Sequence, residues 1–262
     1  MRRLLLSVAA AASVALALAA CTAVPAPPPS SPPAEEEEVR GDLTIFAAAS
    51  LKSAFDDMVA AFQRAHPDVD VQPLVFDGSS TLVTQLREGA VADVFASADE
   101  NTMTSASDAG LVGPATLFAS NTLVLVVPRD NPGRVRSLED LERRGLSVVL
   151  CAQGVPCGAA SATLLKNADV VVRAASYEQN VTAVLTKVAA GEADAGLVYA
   201  TDVLGLETVR SIVPAGAAEV VNRYPIATLK KTANPVAADA FVDFVLSDPG
   251  QRILADHGFG AP

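Results

Sequence analysis

Four places along the 262-residue chain set a small or capping residue at the start of an apolar, helix-spaced run: Ser50, Ser79-Ser80, Cys157-Gly158 and Asn180-Val181. Taken singly, each is an ordinary helix start, since Ser and Asn are favoured N-caps. Taken together they suggest a chemistry. The first turn of a helix carries unpaired backbone N–H groups and about half a positive charge. Several such turns aimed at one crevice hold an anion without any cationic side chain. The chain's formal charge of −11 opposes this at long range. Charges beyond about 8 Å are largely screened at physiological salt, whereas direct N–H and O–H contacts are not. Close, numerous donors therefore decide the outcome.

Other chemistries have less to work with. A serine nucleophile needs a base within hydrogen-bond reach, and neither Ser50 nor Ser79 sits in a Gly-x-Ser-x-Gly elbow. The two histidines, His66 before Pro67 and His257 before Gly258, read as solvated helix C-terminal caps. No enzyme activity and no catalytic residue are expected; a serine hydrolase is the remote alternative. An excess of 30 acidic over 19 basic residues repels phosphate backbones and argues against nucleic acid. No metal-ion ligand set is expected, although Tyr177, Tyr199 and Tyr224 leave an iron-binding protein, like a binder of some other anion, as an alternative reading.

The elements that must place these residues alternate along the chain. Strands are expected at Leu43–Ala47, Val71–Phe76 (an edge or irregular strand, given Pro73), Asp93–Ala96, Leu123–Val127, Leu146–Leu150, Ala195–Ala200 and Val220–Leu229. Helical spacing marks Leu51–Phe62, Leu82–Gly89, Ser137–Arg144, Ala159–Leu165 and the runs after Asn180, Asn234-Pro235 and Asp248-Pro249. Such alternation implies βαβ units and parallel sheets. The expected fold class is α/β in two lobes, residues 42–121 and 122–222, each a mostly parallel sheet flanked by helices. The segment 223–262 is expected to return to the first lobe. Ligands of open α/β sheets bind beyond the carboxyl ends of strands, where the helices begin.

The N-terminal 41 residues belong to another class. Met1-Arg2-Arg3 and the 17-residue apolar run Leu4–Ala20 describe a secretory signal peptide. Leu18-Ala19-Ala20-Cys21 is similar to a bacterial lipobox, which implies cleavage before Cys21 and a lipid on its thiol. Removal of Arg2 and Arg3 with the leader takes the charge from −11 to −13. Thr22–Gly41, with six prolines and four consecutive glutamates, reads as a solvated tether. With Cys21 lipidated, Cys151 and Cys157 remain, six positions apart in a Gly/Pro loop; in an exported protein they are expected to pair as a disulfide.

The strings Ile45-Phe-Ala-Ala-Ala-Ser50-Leu, Gly78-Ser79-Ser-Thr-Leu, Ala92-Asp-Val-Phe-Ala-Ser-Ala-Asp99 and Gly196-Leu-Val-Tyr199-Ala-Thr-Asp202 resemble the extracytoplasmic molybdate-binding proteins of ABC transporters, over about Leu43 to Phe259. The resemblance implies a type II-like periplasmic-binding-protein fold. It implies an oxyanion held by the hydroxyls of Ser50, Ser79 and Tyr199 and by backbone N–H groups at Ser50, Ser79, Cys157 and Val181. Ser79 is preferred over Ser80. Cys157 stands where many relatives have a small residue such as Ala. The expected partners are molybdate and tungstate, an ABC permease with its ATPase, and the membrane through the lipid. The chain is expected to be a monomer, extracytoplasmic and lipid-anchored, with no cofactor beyond the bound oxyanion. Molybdate accepts hydrogen bonds and donates none, so a pocket of donors suits it. None of the matched positions is Asp or Glu, which disfavours protonated phosphate. Asp77, Glu178 and Asp202 lie close in sequence, and Asp202 reads as a cap after Tyr199.

Overall fold

The computed structural model describes residues 38–262; the expected leader and the expected lipidation position Cys21 lie outside the described residues. The described residues belong to one compact unit. The elements in chain order are β1 (Gly41–Leu43), β2 (Ile45–Ala48), α1 (Lys52–Ala65), β3 (Val69–Val71), β4 (Val75–Asp77), α2 (Ser79–Arg87), β5 (Val94–Ala96), α3 (Glu100–Asp108) and β6 (Thr116–Pro128). They continue as β7 (Val148–Cys151), α4 (Pro156–Asn167), β8 (Ser176–Glu178), α5 (Val181–Ala189), β9 (Ala195–Tyr199), β10 (Val209–Ile212), β11 (Val221–Thr228), α6 (Pro235–Leu246) and α7 (Asp248–Asp256).

The main sheet runs β4-β2-β5-β11-β6-β9-β7-β8, with β10 on the other side of β6. Strands β4, β2 and β5 are parallel to one another, as are β9, β7 and β8. The two parallel groups are joined by the long antiparallel strands β6 and β11. Strand β6 changes partners midway. Residues Thr116 to Thr122 pair with β11, and Leu123 to Pro128 pair with β9 and β10. One strand thus serves both lobes, changing partners between Thr122 and Leu123.

The apolar periods of the sequence account for the cores. On α1, Ala54, Phe55, Met58, Val59 and Phe62 form one buried stripe. Phe241 of α6 meets Phe55 and Phe62 edge-on, at 5.9 and 5.2 Å between ring centres. The C-terminal helices thereby pack on α1.

Three expectations are corrected. The strand expected over residues 71–76 is two strands, β3 and β4, interrupted around Pro73; β3 pairs instead with β1 in a separate two-stranded sheet. A proline cannot donate to a ladder and breaks the run. The helix expected over residues 137–144 is a single 3-10 turn, Glu139–Glu142. Leu138 and Leu141 are its only buried apolar anchors, and Arg143 leaves the turn to donate to the Gly133 carbonyl. His257 is not a free cap. Its Nδ1 lies 2.9 Å from Ser53 Oγ and its Nε2 2.9 Å from Asp57 Oδ2, clipping the end of α7 to α1.

Candidate functional site

Between the lobes lies a small cavity of about 10 Å³, lined by residues that include Ser50, Asp77, Gly78, Ser79, Ala98, Cys157, Asn180, Val181 and Tyr199. It is below the roughly 300–1,000 Å³ of pockets that take drug-sized ligands, so a small occupant is indicated. All five residues singled out from the sequence, Ser50, Ser79, Cys157, Val181 and Tyr199, are brought together around it. Ser80 is not among its lining residues; its Oγ donates across the cleft to the Gly154 carbonyl.

Each element delivers its residue for a local reason. The 3-10 turn Ala49–Leu51 follows directly on β2 and places buried Ser50 at its centre. Gly78 is the N-cap of α2, making Ser79 the first residue of that helix. Pro156, preset for a helix start and lacking an N–H, opens α4 and makes Cys157 its second residue. Asn180 caps α5 by accepting from Ala183 N–H at 2.9 Å, which leaves Val181 at the first helical position. The N–H groups of such first-turn residues have no intrahelical acceptor. Three α-helix N-termini and one 3-10 turn therefore face the cavity, from both lobes.

The hydroxyls differ in how they are held. Ser79 Oγ accepts a hydrogen bond from Ala98 N–H at 3.0 Å. A backbone N–H can only donate, so the Ser79 proton is left free to be given elsewhere. Ser50 Oγ lies 3.0 Å from Tyr224 Oη. The hydroxyl of Tyr199 is fully buried and has no hydrogen-bond partner among the described residues. Burying an unpaired hydroxyl costs of order 1–3 kcal/mol, so a group in that condition beside a cavity is matched to something that enters it. Burial raises the Tyr199 pKa well above its ordinary value, and the neighbouring Tyr224, Asp99 and Asp202 push the same way. The group stays a neutral donor at any physiological pH.

Electrostatically the cavity is a dipole site. No Lys, Arg or His is among its lining residues. Its one carboxylate, Asp77, has Oδ1 engaged by Gly78 N–H at 2.7 Å and by Asn180 Nδ2 at 2.8 Å. Of the other acids near in sequence, Glu178 is tied to Lys187 at 2.5 Å and does not line the cavity. Asp202 Oδ2 accepts from Tyr199 N–H at 2.8 Å, a cap as the sequence suggests, and fixes the backbone that carries Tyr199. Cys151 and Cys157 are joined as a disulfide, which ties the end of β7 to the first turn of α4. Neither His66 nor His257 lines the cavity.

Sequence reasoning missed Gly78, Asp77 as a lining residue, and the Tyr224–Asn121 pair behind Ser50. Gly78 approaches the backbone of the other lobe so closely that a Cβ there would overlap the Gln179 carbonyl oxygen. The one available signal was the glycine immediately before Ser79, in a strand-to-helix junction.

Comparison with known proteins agrees with this architecture. A model of the family described as bacterial extracellular solute-binding protein matches residues 43–260. The chain is 47% identical over 222 residues to the molybdate-binding protein ModA of Mycobacterium tuberculosis, covering 84% of this chain and 85% of that one. It is 30% identical over 232 residues to the molybdate-binding protein ModA of Haemophilus influenzae, covering 84% and 90%. Among solved structures, the periplasmic molybdate-binding protein of Azotobacter vinelandii superposes with a TM-score of 0.72 at 19% identity, over 84% of this chain and 99% of that one, a likeness of fold. This chain belongs to the family of bacterial extracellular solute-binding proteins.

Proposed function

We propose that the chain captures molybdate, and also tungstate, outside the cytoplasmic membrane and delivers it to an ABC permease driven by its ATPase. The observation that carries the reading is the convergence of helix N-termini from both lobes on a cavity without a cation, beside a buried Tyr199 hydroxyl that has no partner among the described residues. Such a site offers hydrogen-bond donors to an ion that only accepts. The 47% identity to a molybdate-binding protein supports the choice of oxyanion.

Ser50 and Ser79 contribute from the first lobe, and Cys157, Val181 and Tyr199 from the second. Hydrogen bonds to a charged group are worth roughly 1.5–3 kcal/mol each. Several of them, less the cost of dehydrating the ion and closing the lobes, support micromolar or tighter binding, about −8 kcal/mol or better. An anion that bridges the lobes favours the closed state, because only that state satisfies every donor. Sulfate has the same charge and shape but a smaller radius, and cannot reach all the donors together. The protein works as a monomer held to the membrane by a lipid on Cys21, with the Cys151–Cys157 disulfide stiffening the α4 side of the pocket.

Calorimetric titration of the purified protein with molybdate, tungstate, sulfate and phosphate tests this. One-to-one binding of molybdate and tungstate, at least a hundredfold tighter than sulfate, is the expected result. A folded, ligand-free sample that gives no molybdate heat at any temperature overturns it.

A further inference from the structure

The hydroxyl of Ser50 is backed by a chain of groups whose hydrogen-bond polarity can be read from one end. Thr122 N–H donates to Asn121 Oδ1 at 2.9 Å. A backbone N–H has no acceptor capacity, so this bond settles the amide orientation of Asn121. Its Nδ2 hydrogens then point at Thr201 Oγ1, 2.8 Å away, and at Tyr224 Oη, 3.5 Å away. Tyr224 Oη is thus an acceptor from Asn121, and its single proton is free for Ser50 Oγ at 3.0 Å. The Tyr224 ring is fully buried and boxed edge-on by Phe118, Tyr199 and Phe259, with ring centres 5.5–6.3 Å away, which holds Tyr224 Oη in place beside Ser50. Ser50 Oγ, once an acceptor from Tyr224, has its own proton left for the cavity. The relay gives Ser50 the same polarity that Ala98 N–H gives Ser79.

We infer that Tyr224 is a positioning residue that fixes Ser50 as a donor, and that the Asn121–Tyr224–Ser50 relay selects fully deprotonated tetrahedral oxyanions over oxyanions that carry a proton. The inference rests on the anion-binding reading above. An ion such as hydrogen phosphate needs an acceptor for its own O–H. With the relay intact, Ser50 presents a hydrogen there and not a lone pair. The relay changes the polarity of Ser50 and leaves the Asp77 carboxylate, whose Oδ1 holds two N–H donors, as it is. Without the relay, the Ser50 hydroxyl turns freely and can present a lone pair.

The test compares the parent protein with Tyr224→Phe, Ser50→Ala and the double variant. Molybdate affinity is measured by calorimetry, and sulfate and phosphate affinities by competition against molybdate at pH 7.5. Tyr224→Phe is expected to weaken molybdate about tenfold, to add less than twofold when Ser50 is already Ala, and to shift the sulfate-to-phosphate preference at least fivefold toward phosphate. Asn121→Asp replaces the donor with an acceptor and reverses the relay while leaving the Tyr224 ring in place. It is expected to move the same preference in the same direction, and it serves where Tyr224→Phe fails to fold. An unchanged preference in the folded variants overturns the inference. So does a Tyr224→Phe loss that is equal for all anions and independent of Ser50, since that is what a merely structural role gives. A parent protein that does not bind molybdate removes the anion-binding reading itself, whereas a binding parent with parent-like variants removes only the relay.

Discussion

Asn180 Nδ2 donates to Asp77 Oδ1 across the cleft at 2.8 Å, joining the start of α5 in one lobe to the end of β4 in the other. The same Asn180 caps α5 through its Oδ1, so one amide both builds a helix N-terminus and ties it to the opposite lobe. The bond exists only when the lobes are together. It lies beside Gly78, whose missing side chain lets the lobes approach.

Gly78→Ala isolates closure from folding. The residue has φ −57° and ψ 131°, an extended conformation that alanine adopts freely, so the first lobe is not strained. In the closed state the new Cβ overlaps the Gln179 carbonyl oxygen of the second lobe. Molybdate affinity is expected to fall roughly tenfold or more, about 1.4 kcal/mol or greater, while the ligand-free melting temperature stays within a degree or two of the parent's. Calorimetry and thermal melting check the pair of outcomes. Parent-like affinity would show that closure tolerates a methyl there.

Tyr199→Phe removes a hydroxyl that has no partner among the described residues. Its loss takes away one hydrogen bond to a charged ligand, roughly 1.5–3 kcal/mol, or about 10- to 150-fold in affinity. The ligand-free protein loses nothing, because no protein group is left unpaired. Its melting temperature is expected to hold or rise. A fall in stability without a fall in affinity would place the Tyr199 hydroxyl outside the binding site.

Ser79→Ala is the contrasting case. The Ser79 hydroxyl accepts from the buried Ala98 N–H, so its removal strands that donor. Molybdate affinity is expected to fall at least tenfold and ligand-free stability by about 1–3 kcal/mol, the cost of a buried unsatisfied group. Chemical denaturation measures the second quantity. A stability unchanged within error would mean that Ala98 N–H finds another acceptor.

Much of this was legible beforehand where sequence period and burial agree. The stripe Ala54, Phe55, Met58 and Phe62 gave α1, and the cap Asn180 and the first-turn residue Ser79 marked helix starts that do face the cavity. Helix α3 escaped notice because Glu-Asn-Thr-Met-Thr-Ser-Ala-Ser-Asp buries only Thr102, Met103 and Ala106 and carries little apolar period; its clearest mark is the Asp99 cap. Tyr224 escaped as a neighbour of Ser50 for another reason. Ser50 and Tyr224 lie 174 positions apart, and their contact rests on tertiary packing that no local pattern encodes. The Gly78–Gln179 approach and the Asp77–Asn180 bond link residues about a hundred positions apart, and no local pattern encodes them.

Asp202→Asn is expected to change how stability varies with pH. The carboxyl of Asp202 lies half-buried against the Tyr199 backbone; desolvation raises its pKa from 3.8 to about 7, and the hydrogen bond from Tyr199 N–H offsets only part of that rise. A carboxyl whose folded pKa exceeds its unfolded one binds more protons when folded. Its contribution is therefore fully present below about pH 4 and is lost as pH rises through about 7. Asparagine keeps an oxygen for Tyr199 N–H and cannot ionise. The melting temperature of the variant should match the parent's near pH 4 and exceed it increasingly up to pH 7.5, where each kcal/mol relieved is worth about 2–4 °C for a chain of this size. Reading the difference between the two proteins across that range cancels the other carboxylates, whose titration they share. A constant difference from pH 4 to 7.5 would show that Asp202 ionises in the folded protein at its ordinary pH.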